Sequence, residues 1–214
     1  DSSGNVGIGT STMSDYDASA RDLVIDNGSG DTGITIKSAS THSGLIYFAD
    51  GTSSDEKYRG FIGYDHYGEA LRLGSGGVER MRVESGGRVS IGNPSPVSPA
   101  GHNSRLAVEG TDYHSATVSI SANSANSNGA YLMFSKSRGT SVGSTTVVQD
   151  DDTLGYIGFN AADGINVNSA SAAIYSQVDG SPGNDDTPGK IIFATTADDA
   201  EVVTNRMYIT SAGI

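Results

Sequence analysis

The apolar residues of this chain come in short alternating runs that end on glycine, and that pattern limits the fold more than any other feature. In SGNVGIGTS, residues 3–11, Val6 and Ile8 flank Gly7 and Gly9 ends the run. Alternation at period two puts Val6 and Ile8 on one face of a strand. The pairs Ile34/Ile36, Leu71/Leu73, Met81/Val83, Val89/Ile91, Val118/Ile120 and Met207/Ile209 read the same way. Apolar residues three and four apart, which a helix needs, are nearly absent. Only TADDAEVVTN, residues 196–205, is expected to make a single helical turn. The predicted fold class is all-β, with Gly-, Asn-, Asp- and Ser-rich turns closing each strand.

The runs also recur in order. Gly4, Val6, Ile8 and Gly9 fall on Gly87, Val89, Ile91 and Gly92 at one offset, 83 residues (87 − 4). DLVID (22–26) meets RLAVE (105–109) at that offset, and GITIKS (33–38) meets TVSISA (117–122) one residue further on. LIYFAD (45–50) matches YLMFSK (131–136), GFIGYD (60–65) matches GYIGFN (155–160), and ERMRVESGG (79–87) returns as NRMYITSAG (205–213). The expected organisation is therefore the end of a preceding repeat with its linker at 1–20, a β-rich repeat at 21–92, a Pro/Ser/Gly linker at 93–103, and a second repeat with insertions at 104–214. Repeats cut at both ends imply a longer array, of which this chain is a piece or a processed product. The glycines then act as punctuation, where a strand bends or another backbone approaches closely.

Composition points to an incomplete core. Among 214 residues there are 29 Gly, 36% hydrophobic and 7% aromatic residues, with no Trp and no Cys. A single globule of this length buries more large apolar side chains than that supplies. Disorder is excluded by the periodic runs, so the expected object is a thin β structure that finishes its core against other copies of itself. The formal net charge of −12 argues against nucleic acid as a partner, because phosphate binding relies on Lys and Arg. The absence of Cys removes disulfides and zinc–cysteine sites. No window approaches the roughly 18 consecutive apolar residues of a membrane span, so membrane insertion is not expected.

The GNVGIGTS signature, the Arg80-Met81 to Gly92 stretch, its partner from Arg206-Met207 onward, and the G-[FY]-I-G-[YF] strand resemble distal tail-fibre proteins of tailed bacteriophages. In that group such a motif closes one β-rich unit, and a Leu-x-Val strand opens the next. Leu23-Val24-Ile25 and Leu106-Ala107-Val108 carry that second element here. VSIGN at 89–93 stands where the group has VGIGT. The resemblance implies an elongated, interwoven homotrimer in the virion, outside the cell, with two further copies of the chain as partners and host attachment as its work. Bacterial surface adhesins of similar repeat type are the alternative.

Motifs for chemistry are sparse. GSGDTG (28–33) fits G-x-G-x-x-G, but Ile34-Thr35-Ile36 after it reads as a strand, so a turn is expected rather than a dinucleotide site. No P-loop or H-x-H pair occurs, and no cofactor or metal is assigned. Asp150-Asp151-Asp152, Asp185-Asp186, Glu79 and Glu84 are the carboxylates a polysaccharide-degrading fibre enzyme would draw on. They read instead as solvated loop tips, and no catalytic residue is assigned. Host-glycan contact would use exposed aromatic faces, for which Tyr64, His66, Tyr67, Tyr113 and His114 are the candidates.

Overall fold

A computed structural model describes residues 3–213, and the chain divides between Val78 and Glu79 into two compact units. Among the described residues the only helices are three short 3-10 turns, at Met13–Asp15, Ser54–Tyr58 and Pro99–Gly101; the rest of the regular structure is strand. The all-β expectation holds.

In the first unit β1 (Val6–Ile8) and β2 (Leu23–Ile25) pair in parallel, Val6 opposite Leu23 and Ile8 opposite Ile25. Parallel strands cannot be joined by a tight turn, so residues 9–22 form a crossover. Its 3-10 turn buries Met13 beneath Gly7, where a Cβ would meet the Thr10 carbonyl and lie 2.6 Å from the Met13 sulfur. The loop at 26–31 is held by Asx-type bonds, Gly28 N donating to Asp26 Oδ1 at 2.8 Å and Ser29 N to Asn27 Oδ1 at 3.0 Å. No helix opens after Gly33; the glycine triplet is a bend at residues 28–30 followed by irregular chain. Further on, β3 (Ser43–Phe48), β4 (Gly60–Asp65) and β5 (Ala70–Ser75) make an antiparallel meander with Ile62 between Ile46 and Leu73.

The second unit contains β6 (Val78–Val83, from Glu79 on), β7 (Val89–Ile91) and β8 (Leu106–Val108). β7 runs antiparallel to β6 and parallel to β8, Val89 opposite Leu106 and Ile91 opposite Val108. The β7–β8 bonds copy those of β1–β2 residue for residue. Val6 N and Val89 N donate to the carbonyls of Asp22 and Arg105, both at 2.8 Å; Asp26 N and Glu109 N donate to Ile8 and Ile91 at 2.9 and 3.0 Å. Gly9 and Gly92 follow at φ +81° and +89°, and a Cβ on either would strike the carbonyl oxygen of Asp26 or Glu109. Only glycine fits there. The proline-rich stretch after Gly92 is tied down: Asn93 Nδ2 and Val97 N donate to the Glu109 carboxylate, each at 3.0 Å.

The remaining strands, β9 (Thr153–Ala161), β10 (Ser169–Val178), β11 (Gly189–Thr195) and β12 (Thr204–Ile209), form an antiparallel sheet in the order β12-β11-β10-β9. Its core is small: Ala173, Val178, Ile192 and Ala194 are buried. The helical turn expected at 196–205 is a tight turn instead. Ala200 N donates to Ala197 O at 3.2 Å, and Asp199 takes φ +62°, which a right-handed helix cannot contain.

Two expected strands are not strands in this chain. Among the described residues, 33–38 and 117–122 make no backbone–backbone hydrogen bond, nor do residues 131–136. Alternation specifies a face, whereas a strand also needs a partner backbone, and the described residues supply none to these segments. The chain exposes 15327 Å². A folded monomer of 21.9 kDa is expected to expose about 9,300 Å².

Candidate functional site

Three kinds of feature have chemical potential: exposed tyrosines on turns, clustered carboxylates, and bare apolar sheet faces. Tyr64 ends the apolar run of β4, and His66 and Tyr67 lie in the turn to β5. Asp65 shapes that turn by accepting the Tyr67 N–H at 3.1 Å. The Tyr64 hydroxyl donates to Glu69 Oε2 at 2.6 Å, and this bond to a carboxylate raises the phenol pKa. The His66 ring meets Tyr64 edge-on at 5.0 Å, and Tyr67 is 83% exposed.

Tyr113 and His114 sit in a turn of the second unit. Asp112 closes it, accepting the Ser115 N–H at 2.8 Å while its own N–H donates to Ser115 Oγ at 3.2 Å. The Ser115 N–H bond first, then a bond from the Ser115 hydroxyl to Asp112 Oδ1 at 3.0 Å, lower the Asp112 pKa. The two rings lie 3.9 Å apart at 36°, and Tyr113 is 77% exposed. The structure thus groups Tyr64, His66 and Tyr67 on one turn and Tyr113 with His114 on another. Both groups offer wet aromatic faces beside a carboxylate, chemistry suited to stacking on a sugar ring with hydrogen bonds to its hydroxyls.

The carboxylates are largely engaged by cations or backbone donors. Arg138 grips Asp152 with two bonds, Nε to Oδ2 at 2.7 Å and Nη2 to Oδ1 at 2.8 Å, and Gln149 N adds a third at 2.9 Å. Together they hold the Asp152 carboxyl far below its ordinary range, the Arg138 bond contributing most. Lys190 Nζ lies 2.6 Å from Asp151 and 3.6 Å from Asp179, and Asp151 first of all raises its pKa. Asp150 Oδ1 accepts from Gly180 N at 2.8 Å. Glu79 and Glu84 are each held by two bonds, from Arg82 and Arg88 respectively.

A general acid needs a carboxyl pKa pushed up. Every carboxylate among the described residues that is displaced is displaced downward. Such groups clamp loops. Among the described residues no three His, Cys, Asp or Glu side chains gather where a metal could sit, and no helix is long and apolar enough to cross a membrane.

Sequence reasoning missed the Arg138–Asp152 and Lys190–Asp151–Asp179 clusters. The aspartates were visible, but their cations lie 14 and 39 residues away for the Asp152 and Asp151 pairs, and no periodicity links them. Apolar faces are bare in both units: Ile46, Ile62 and Phe48 in the first, Tyr156, Ile157 and Ile191 in the second, all more than 40% exposed.

No family model and no curated protein sequence matches this chain. Its fold is similar to that of solved phage structures. The carboxy-terminal domain of the bacteriophage T5 L-shaped tail fibre superposes with a TM-score of 0.67 at 14% identity, over 88% of this chain and 87% of that one. A structure of the same domain with its intra-molecular chaperone domain gives a TM-score of 0.68 at 14% identity, over 88% of this chain and 60% of that one.

Proposed function

We propose that this chain is a structural and host-attachment module of a virion tail fibre, in its shaft or as a receptor-facing side domain, exposed outside the cell. Its tail-fibre-like fold supports the first half of that reading. The observation that carries it is the uncovered β structure: alternating apolar segments without a backbone partner and sheet faces open to water. Three copies arranged about one axis would cover those faces. The proposed repeats at 21–92 and 104–214 would then stack along the fibre.

Each trimer would present the turns bearing Tyr64, His66, Tyr67, Tyr113 and His114 three times. Weak contacts with a host-surface glycan would sum through avidity. The loop-clamping carboxylates favour this use over polysaccharide cleavage. The test is competition: purified protein added before virions should reduce adsorption to host cells. A Tyr67→Ala/Tyr113→Ala variant of unchanged oligomeric mass should compete at least about tenfold less well. Host cells that bind neither protein at saturating concentration would overturn the attachment role.

A further inference from the structure

The two units contain comparable grooves that are walled differently. In the first, a groove of about 310 Å³ runs over Ile62 of β4, and Ile34 and Ile36 of the unpaired GITIKS segment form part of its lining. In the second, a groove of about 330 Å³ runs over Ile157 of β9, Ile174 and Tyr175 of β10 and Ile191 of β11, with Phe134 also lining it. Ile62 and Ile157 are equivalent in the repeated GFIGYD and GYIGFN strands. The counterparts of Ile34 and Ile36, by the match of GITIKS to TVSISA, are Val118 and Ile120.

Neither Val118 nor Ile120 lines the second groove. They stand 66% and 53% exposed, on a segment that forms no backbone–backbone hydrogen bond among the described residues. The Ser119 and Ser121 hydroxyls lie 3.3 Å apart, as i and i+2 side chains do on one face of an extended chain, which puts Val118 and Ile120 together on the other face. The wall missing from this groove therefore exists in the same polypeptide, positioned away from it.

We propose that Val118 and Ile120 of one copy wall the Ile157–Ile174–Ile191 groove of a neighbouring copy, in the place that Ile34 and Ile36 occupy within the first unit. The proposal rests on the trimeric fibre reading above and names its contact. Donor segment and acceptor groove are different surfaces of one chain, so the contact can repeat head to tail around an axis, three copies being the ring proposed. The area is available: the chain exposes about 6,000 Å² beyond a folded monomer of its mass, several times the roughly 800 Å² per partner of an ordinary stable interface.

A chain without cysteine gives a clean test. Cysteines introduced together as Val118→Cys and Ile157→Cys, treated with a short bismaleimide, should yield covalent dimers and trimers on a denaturing gel, and neither single variant should reach trimer. In the unaltered protein, hydroxyl-radical labelling of the Val118 and Ile120 side chains should be several-fold lower than in the denatured chain. That second measurement decides the matter if the cysteine variant misfolds. A product cross-linked only within one chain, no product, or labelling of Val118 and Ile120 as strong as in the denatured chain would overturn this contact. Sedimentation of the same samples separates the two ideas, since a trimer lacking the cross-link sinks the contact alone and a monomer sinks the fibre reading as well.

Discussion

Ser90 and Gly92 lie two positions apart at the end of β7 and carry opposite liabilities. Gly92 holds φ +89° with its Cα against the Glu109 carbonyl, so Gly92→Ala should cost more than about 1 kcal/mol in a thermal melt. Ser90 is 1% exposed and its hydroxyl has no hydrogen-bond partner among the described residues. Ser90→Ala keeps the Cβ and removes that orphan, so the melting temperature should hold or rise, by the equivalent of up to about 1 kcal/mol. Its counterpart in the first unit, Gly7, tolerates no side chain because Met13 and the Thr10 carbonyl fill the space. This explains locally why the two copies of the motif differ at that position.

The acidic groups set a pH window. Asp152, Asp163 and Asp179 are held below the ordinary carboxylate pKa, by Arg138, by the Asn166 N–H and by the Ser211 N–H respectively as the leading causes. A lowered folded pKa means that the unfolded chain binds more protons in mild acid. The stabilisation is complete above about pH 4–5 and is lost as pH falls through the folded values. Lys190 is raised, so its contribution is complete below the ordinary lysine pKa and is lost as pH climbs past the folded value. Melts followed by circular dichroism should be flat between about pH 5 and 9 and fall on the acid side, with Asp152→Asn flattening the acid limb. An acid limb that Asp152→Asn leaves untouched would remove Arg138–Asp152 from the account.

At the level of elements, β11 is the strand on which the second sheet depends. Ile192 has no exposed surface, and β11 pairs with both β10 and β12. Ile192→Ala should lower stability by about 2–5 kcal/mol, as for other buried large-to-small changes, and by a similar amount at every protein concentration. Much of this architecture was legible beforehand, because alternation and glycine placement are local: β4, β9, β7 and β12 fall on the runs that predicted them. The constant offset in the sequence marked β1–β2 and β7–β8 as equivalent places, and their pairings prove equivalent too. The partner of a strand was not legible. Ile34/Ile36 and Val118/Ile120 alternate as cleanly as Met81/Val83, yet only the last pair acquires a backbone neighbour in this chain. In the candidate site, the tyrosine turns were visible from residue type, whereas the ion pairs clamping the 149–152 turn depended on three-dimensional closure.

For the molecule as a whole, charge and bare surface oppose each other. Each chain carries −12, so a trimer gathers three times that charge. Assembly should weaken in dilute buffer and strengthen toward roughly 0.5 M salt, where the Debye length is about 4 Å. Equal dissociation midpoints at both salt levels would mean that the charges are too dispersed to matter. The account as a whole stands on the claim that one chain cannot close its own core, and sedimentation equilibrium tests this most directly. It should return three times the 21.9 kDa chain mass across micromolar concentrations. A stable, cooperatively melting species of 21.9 kDa would contradict it.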